Sequence, residues 1–177
     1  MPCNLTITVA RVSDIPEVKS LSDIMFRAAY ADFLSSGQIE YMLENMYTEK
    51  SFADIVSDPG KALFVALEGD RKIGYLSVCR DGNTPSGHPL FHLQRIYLLP
   101  ECQGKGYGRD MFTFLVNYLK DICPETKFRI ELNVNRRNRA VRFYEAMGMY
   151  CSRTEDIEIG EGYMMEDYIY AIDVDNR

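Results

Sequence analysis

One segment restricts the fold of this chain more than any other, the stretch from residue 95 to residue 119. It joins an apolar run, RIYLL, to an amphipathic run, MFTFLVNYL, through the glycine-rich sequence PECQGKGYGRD. The first run is typical of a strand, and Met111, Leu115 and Leu119 recur at helical spacing. A further strand pattern, RIELNV (129–134), follows the helix. This order predicts a parallel βαβ unit.

The rest of the chain predicts more strands and helices around this unit. Alternating β-branched residues indicate a strand over 5–11, and apolar residues at helical spacing indicate a helix after Ser13 and a second one around 39–46. A shorter helix is expected over 49–57, a hairpin over 62–82, a helix over 138–147 and two strands around 149–155 and 164–173. We therefore expect a single mixed α/β domain over residues 1–177, with a mostly antiparallel central sheet and a parallel βαβ core.

Composition excludes several classes of function. The net charge of −6 argues against nucleic acid as the main partner. Five scattered cysteines, Cys3 among them, and two histidines form no zinc-binding pattern, so we expect no metal. We see no secretion signal and no apolar run long enough for a membrane span, and we expect a cytoplasmic protein.

The charge is unevenly distributed along the chain. Residues 95–142 hold ten Lys or Arg against five Asp or Glu, although the whole chain is acidic. This division suggests an anion bound in the middle of the chain and a cation recognised elsewhere. Chance clustering on a solvated surface is the alternative.

The glycine-rich loop is either a simple turn or a phosphate site. It lacks the spacing of a P-loop and of a dinucleotide fingerprint, and what remains is Q-x-x-G-x-G, with Gln103, Gly106 and Gly108. A glycine loop that opens a helix leaves backbone N–H groups and the positive end of the helix dipole facing outward. Lys105 and Arg109 could neutralise a bound pyrophosphate.

Two separated motifs resemble the GNAT superfamily of N-acetyltransferases, which bind acetyl-coenzyme A. IYLLPECQGKGYGR is similar to the pyrophosphate-binding segment of that family, and NRAVRFYEAMGM (138–149) to its second motif. The order of elements also fits across nearly the whole chain. The end of the chain, IGEGYMMEDYIYAI, resembles members that acetylate polyamines or small amines.

The resemblance implies a GNAT-like fold and a set of cofactor-binding residues. The backbone of Ile96, Tyr97 and Leu98 would contact the pantetheine arm and the thioester carbonyl. Asn138 would bind the cofactor arm, although it could also be a helix N-cap. The pyrophosphate would lie on the loop residues Gln103, Gly104, Lys105, Gly106, Tyr107, Gly108 and Arg109.

The resemblance also implies two catalytic residues. Tyr144 aligns with the general acid that protonates the leaving sulfur, and we assign its neighbour Phe143 to packing. His92 occupies the position at which many relatives carry a glutamate base, and its ordinary pKa suits proton transfer at neutral pH. A second family position for a base is Asn133 here, which cannot serve, so Glu131 is expected to act through water if it acts.

The acceptor is expected to contact the first two helices and the C-terminal strands. Tyr30, Phe33 and Tyr41 could form an amine pocket through cation–π contacts. Six acids near the C-terminus could attract a polycation: Glu155, Asp156, Glu158, Glu161, Glu166 and Asp167.

These observations favour an acetyl-CoA-dependent N-acetyltransferase that acts on a primary amine of a small or polycationic molecule. Two alternatives stay open, acetylation of a peptide or protein amine and a non-catalytic acyl-CoA-binding sensor. A homodimer is possible, because dimers are common in the family that the sequence resembles.

Overall fold

The computed structural model of the protein describes residues 5–177, so Cys3 and the other three N-terminal residues lie outside the described part. Seven strands form one sheet in the order β1-β2-β3-β4-β5-β7-β6. Their bounds are Leu5–Val9, Lys61–Glu68, Arg71–Asn83, Pro89–Leu98, Lys127–Asn135, Tyr150–Gly160 and Tyr163–Asp175, for β1 to β7 in chain order.

Five α-helices accompany the sheet. In chain order, α1 to α5 are Ile15–Tyr30, Ser36–Met46, Glu49–Ser57, Tyr107–Ile122 and Ala140–Ala146. Ser35 and Thr48 cap α2 and α3, because each side chain accepts a hydrogen bond from a backbone N–H three residues on. Single turns of 3-10 helix precede α1 and follow β4.

The predicted sheet architecture is confirmed. All neighbouring strands are antiparallel except β4 and β5, which are parallel and joined through α4. The helices cover both faces because alternate residues of a strand point to opposite sides. Tyr75 on β3 packs against Phe52 of α3 and donates a hydrogen bond to Ser22 of α1, whereas Phe64 on β2 packs against Phe114 of α4.

The C-terminal hairpin is longer than the sequence pattern indicates. Strand β6 continues to Gly160 rather than ending near residue 155, and β7 ends at Asp175. The hairpin docks on α2, where the Tyr41 hydroxyl donates to the Ile159 carbonyl at 2.8 Å and the Gln38 amide to the Met164 carbonyl at 2.8 Å. Tertiary contacts with α2 therefore support the extra length.

None of the helices within residues 5–177 combines the length and the apolar character that crossing a bilayer requires.

Candidate active site

The two parallel strands separate and open a cavity between them. Strand β4 pairs with β5 only from Leu90 to His92, opposite 129–131. Beyond His92 the two strands diverge, and residues 93–98 and 132–135 line a cavity of about 1040 Å³. The β5-facing edge of β4 therefore presents backbone N–H and C=O groups to the cavity rather than to a strand, and such groups need a partner.

The glycine loop forms one end of this cavity. Gly104 and Gly106 have φ of 76° and 90°, a conformation that glycine adopts without strain, and a Cβ at either position would meet no heavy atom within 4 Å. Gly106 is the N-cap of α4, so the first N–H groups of a 16-residue helix point to this open space. The geometry suits an anion at the helix N-terminus.

Gly108 is a glycine for a different reason. A Cβ there would lie 3.2 Å from the Phe143 ring of α5, which is tighter than an ordinary contact. Phe143 packs on this glycine and also lines the cavity beside Tyr144, so the sequence-based separation of the two aromatics into packing and cleft is too strict.

Most of the predicted cofactor residues lie on the cavity wall, but two do not. The lining includes Ile96, Tyr97, Leu98, Gln103, Gly104, Gly106, Gly108, Arg109 and Asn138. Lys105 and Tyr107 are not part of it, and Tyr107 is buried with its hydroxyl donating to Glu68. The side-chain oxygen of Asn138 accepts the backbone N–H of Ala140 at 2.9 Å, but the N-cap of α5 is Arg139, so Asn138 supports the start of the helix without being its N-cap.

Four tyrosines converge on the other end of the cavity. The Tyr97 hydroxyl lies 3.0 Å from that of Tyr47 and 3.4 Å from that of Tyr30. Tyr144, 8% exposed, lines the same space from α5. Burial is the main cause that raises the pKa of all four phenols, so they stay protonated at neutral pH and can donate hydrogen bonds.

Of the three aromatic residues proposed for the acceptor pocket, two line the cavity. Tyr30 and Phe33 of α1 are on its wall with their rings 5.4 Å apart. Tyr41 is not on the wall, because it packs against Tyr163 and supports the C-terminal hairpin.

His92 and Glu131 lie outside the cavity wall. They are neighbours across β4 and β5 at the last paired position before the strands diverge. The His92 side chain is 25% exposed, its Nδ1 is 3.9 Å from Asp81, and burial lowers its pKa against the opposing charges of Asp81 and Glu131. Glu131 accepts from Arg153 at 3.0 Å. The structure therefore does not bring the two residues proposed as base together with Tyr144.

Asp167 of β7 is a buried carboxylate on the cavity wall. It is 4% exposed, and its Oδ2 accepts from the Asn133 amide at 3.2 Å. Burial raises its pKa, and the Asn133 hydrogen bond and the positive charge of Arg136 oppose the rise. Asp167 is one of the six acids near the C-terminus that could attract a polycation, but its phase with Met165, Ile169 and Ala171 on a strand indicates a buried position.

Comparison with known proteins identifies the class that this fold and cavity define. Residues 24–149 match the model of a family described as "Acetyltransferase (GNAT) family". Because the match spans more than half of the chain, the protein belongs to the GNAT family.

Individual relatives agree with this assignment. An uncharacterized N-acetyltransferase of Mycobacterium bovis is 24% identical over 159 residues, covering 89% of this chain and 96% of the relative. The PaiA N-acetyltransferase of Thermoplasma acidophilum, solved with coenzyme A, has a TM-score of 0.73 at 16% identity, covering 94% of this chain and 97% of the other. The spermidine N-acetyltransferase SpeG of Vibrio cholerae has a TM-score of 0.64 at 22% identity, covering 96% and 93%.

Family membership makes the chain an N-acetyltransferase, and the GNAT-like fold is confirmed.

Proposed function

We propose that the protein transfers the acetyl group of acetyl-coenzyme A to a primary amine of a small molecule. One observation carries the proposal. A single cavity connects a helix N-terminus suited to an anion, the unpaired edge of β4, and a cluster of phenols with one buried carboxylate. The helix N-terminus suits the anionic part of the acetyl carrier, and the β4 edge suits the arm that ends in the thioester. The phenols and the carboxylate suit the ammonium group of the acceptor.

The donor fits the glycine-loop end of the cavity. The backbone N–H groups at the start of α4 and the side chain of Arg109 would hold a pyrophosphate, and the β4 edge from Ile96 to Leu98 would hydrogen-bond an extended arm. Bound there, the cosubstrate supplies an activated acetyl group. The cavity raises the rate most directly by holding this acetyl group next to the acceptor.

Proton transfer is the other demand of the reaction. An alkylamine carries a proton at neutral pH and must lose it before it can attack. Tyr144 is buried and protonated, so it is placed to give a proton to the leaving sulfur. Because His92 lies off the cavity wall, the sequence-based proposal that it is the base finds no support in its contacts.

The acceptor is a primary amine, and polyamines are one class within this proposal. The C-terminal sequence and the fold likeness to a spermidine acetyltransferase motivate that class. The likeness lies below 25% identity, however, so it carries the fold and leaves small amines and peptide N-termini open as acceptors.

Release of free thiol from acetyl-coenzyme A tests the proposal. The purified protein would be assayed with n-butylamine, spermidine and an unblocked alanyl peptide, and we expect turnover with at least one small amine. Turnover with the peptide alone would favour the peptide alternative. Coenzyme A binding without thiol release from any of the three would favour the non-catalytic sensor.

Two expectations from the sequence stay predictions. A homodimer would be tested by sedimentation, and a cytoplasmic location by fractionation of cells that produce the protein.

A further inference from the structure

The carboxylate of Asp167 is incompletely satisfied, although it is almost fully buried. Its Oδ2 accepts from Asn133, but its Oδ1 is buried and has no hydrogen-bond partner among residues 5–177. A buried acceptor without a partner destabilises the folded chain, and a charged one does so more strongly. Because Asp167 is a residue of the cavity wall, this unpartnered oxygen points to a partner that arrives with the ligand.

No cation of the described chain forms an ion pair with this carboxylate. The positive charge that lowers its pKa, Arg136, donates to Asp156 on β6 and lies over the ring of Tyr168. The other charges that act on Asp167, Glu155 and Asp156, are negative. A cationic ligand would therefore meet an electrostatic demand that the folded chain leaves open.

The phenol cluster lies within electrostatic reach of the same carboxylate. After burial, the charge of Asp167 is among the causes that raise the pKa of Tyr30 and of Tyr47. A primary ammonium group has three N–H donors. One carboxylate oxygen and neighbouring phenol oxygens supply acceptors for it.

We propose that Asp167 forms the subsite for the reacting ammonium group of the acceptor and that its carboxylate takes the proton that this group must lose. Asn133 holds Oδ2 in place and leaves Oδ1 for the ammonium. This inference rests on the proposed function, in which Asp167 would bind the acceptor.

The protons and electrons of the step balance. An O–H bond forms at Asp167 as one N–H bond of the ammonium breaks. The freed lone pair forms a C–N bond with the thioester carbonyl carbon, and the C–S bond breaks with its electron pair going to sulfur. Tyr144 gives a proton to the sulfur, and the second proton lost from nitrogen restores the phenol. Asp167 finally releases its proton to water, leaving an amide and a thiol.

The raised pKa of Asp167 agrees with this role, because a carboxylate with a higher pKa is a better match for a base near neutral pH. The groups that act on this carboxylate are Asn133 on β5, Arg136 after β5, Glu155 and Asp156 on β6, and Tyr30 and Tyr47 on the helical side.

The subsite also restricts the acceptor. Asp167 is the only buried carboxylate on the described part of the cavity wall, and the other acid there, Asp32, has a 77% exposed side chain near Arg139. The remaining charged lining residues are Arg95, Arg109, Arg137 and Arg139. The interior therefore accommodates one ammonium group, and further charges of a polyamine would remain towards the mouth.

The first test measures binding without chemistry. Titration calorimetry would follow n-butylammonium chloride binding to protein saturated with coenzyme A, with n-butanol as the neutral ligand. The variants are Asp167→Asn and, as a matched control, Asp175→Asn, which makes the same change at an exposed position of the same strand. We expect Asp167→Asn to lose n-butylammonium affinity at least tenfold and Asp175→Asn to match the wild type. Equal affinities in wild type and Asp167→Asn, or no binding to the wild type, would overturn the proposal.

The second test separates proton transfer from a structural effect. Hydroxylamine is largely unprotonated at neutral pH, so it needs no base. We expect Asp167→Asn to lose kcat/KM for n-butylamine at least tenfold more than for hydroxylamine, with coenzyme A affinity unchanged. An equal loss for both nucleophiles would contradict the role in proton removal. Absence of thiol release from every amine would instead reject the proposed function, while the calorimetric result would still decide the ammonium subsite.

Discussion

The two ends of the cavity are built from different parts of the polypeptide. The glycine-loop end uses backbone groups, namely the N–H groups at the start of α4 and the open edge of β4, and one continuous segment supplies nearly all of it. The phenol end uses side chains from α1, α2, β4, α5 and β7, brought together by the fold. In the proposed function, the first end binds the acetyl donor and the second end selects the acceptor.

The difference also affects stability. Glycines with positive φ and outward N–H groups destabilise the folded state little when water can reach them. A buried carboxylate with an unpartnered oxygen destabilises it more. Substitutions at either end should therefore weaken binding, but they should change the free energy of unfolding in opposite directions.

The largest effect is expected at Tyr144. Changing Tyr144→Phe removes the proton donor and keeps the ring, so we expect kcat to fall about 100-fold, in the range typical of a lost general acid. Steady-state thiol release with the best amine of the panel measures this change. Tyr150→Phe, at an exposed position of β6, is the control and should retain the wild-type rate. A Tyr144→Phe enzyme with full kcat would remove Tyr144 from the mechanism.

A smaller effect is expected at the glycine-loop end. Gly106→Ala forces a side chain into a φ of 90° and disturbs the N–H groups at the start of α4, so we expect coenzyme A to bind about tenfold more weakly, a cost of about 1–2 kcal/mol. Calorimetric titration with coenzyme A measures it.

Gly82→Ala is the matched control for that change. Gly82 has a φ of 73° and equally open space, but it lies at the far end of β3. The control should lose similar stability and keep its coenzyme A affinity. If both variants bind coenzyme A equally well, the glycine loop is only a turn.

The next effect is one of stability, at the phenol end. Burial raises the pKa of Asp167 in the folded state, so folding favours its protonated form. The folded state is therefore most favoured below the unfolded pKa of about 3.9, and it loses stability as the pH rises through the raised folded value. Asp167→Asn should increase the free energy of unfolding at pH 7 by about 1 kcal/mol, or about 2–4 °C in Tm.

Thermal unfolding of the wild type and Asp167→Asn at pH 7 and at pH 4 measures this difference. The gain should shrink at the lower pH, where the carboxyl is increasingly protonated in both states. A variant that is less stable than the wild type at pH 7 would show that the charge of Asp167 is already compensated in the folded chain.

The smallest effect is expected at His92. Its side chain lies off the cavity wall beside Asp81, so His92→Ala should change kcat/KM less than threefold. The same thiol assay measures it, with circular dichroism to verify folding. A loss of tenfold or more with an intact fold would restore His92 as the base that its sequence position suggested.

The glycine loop, the order of strands and helices and the family were all accessible from the sequence, because each depends on neighbours along the chain. Glycine spacing, a helix beginning and apolar periodicity are local properties, and the motif over 138–149 is continuous. The same reasoning does not reach contacts between residues that are distant in sequence. Nothing near His92 in sequence shows that β4 and β5 remain paired there and diverge only afterwards.

For Asp167, the sequence pattern indicates burial but does not indicate the contacts of the side chain. Its alternation with Met165 and Ile169 indicates a buried acid, but the partner amide of Asn133 is 34 residues away and the phenols of Tyr30 and Tyr97 lie on other elements. The sequence by itself determined the fold class, the glycine loop and the acetyltransferase family. Only the tertiary structure decided which carboxylate enters the cavity, because burial and cross-strand contact depend on the packing of β7 against β5 rather than on residue type.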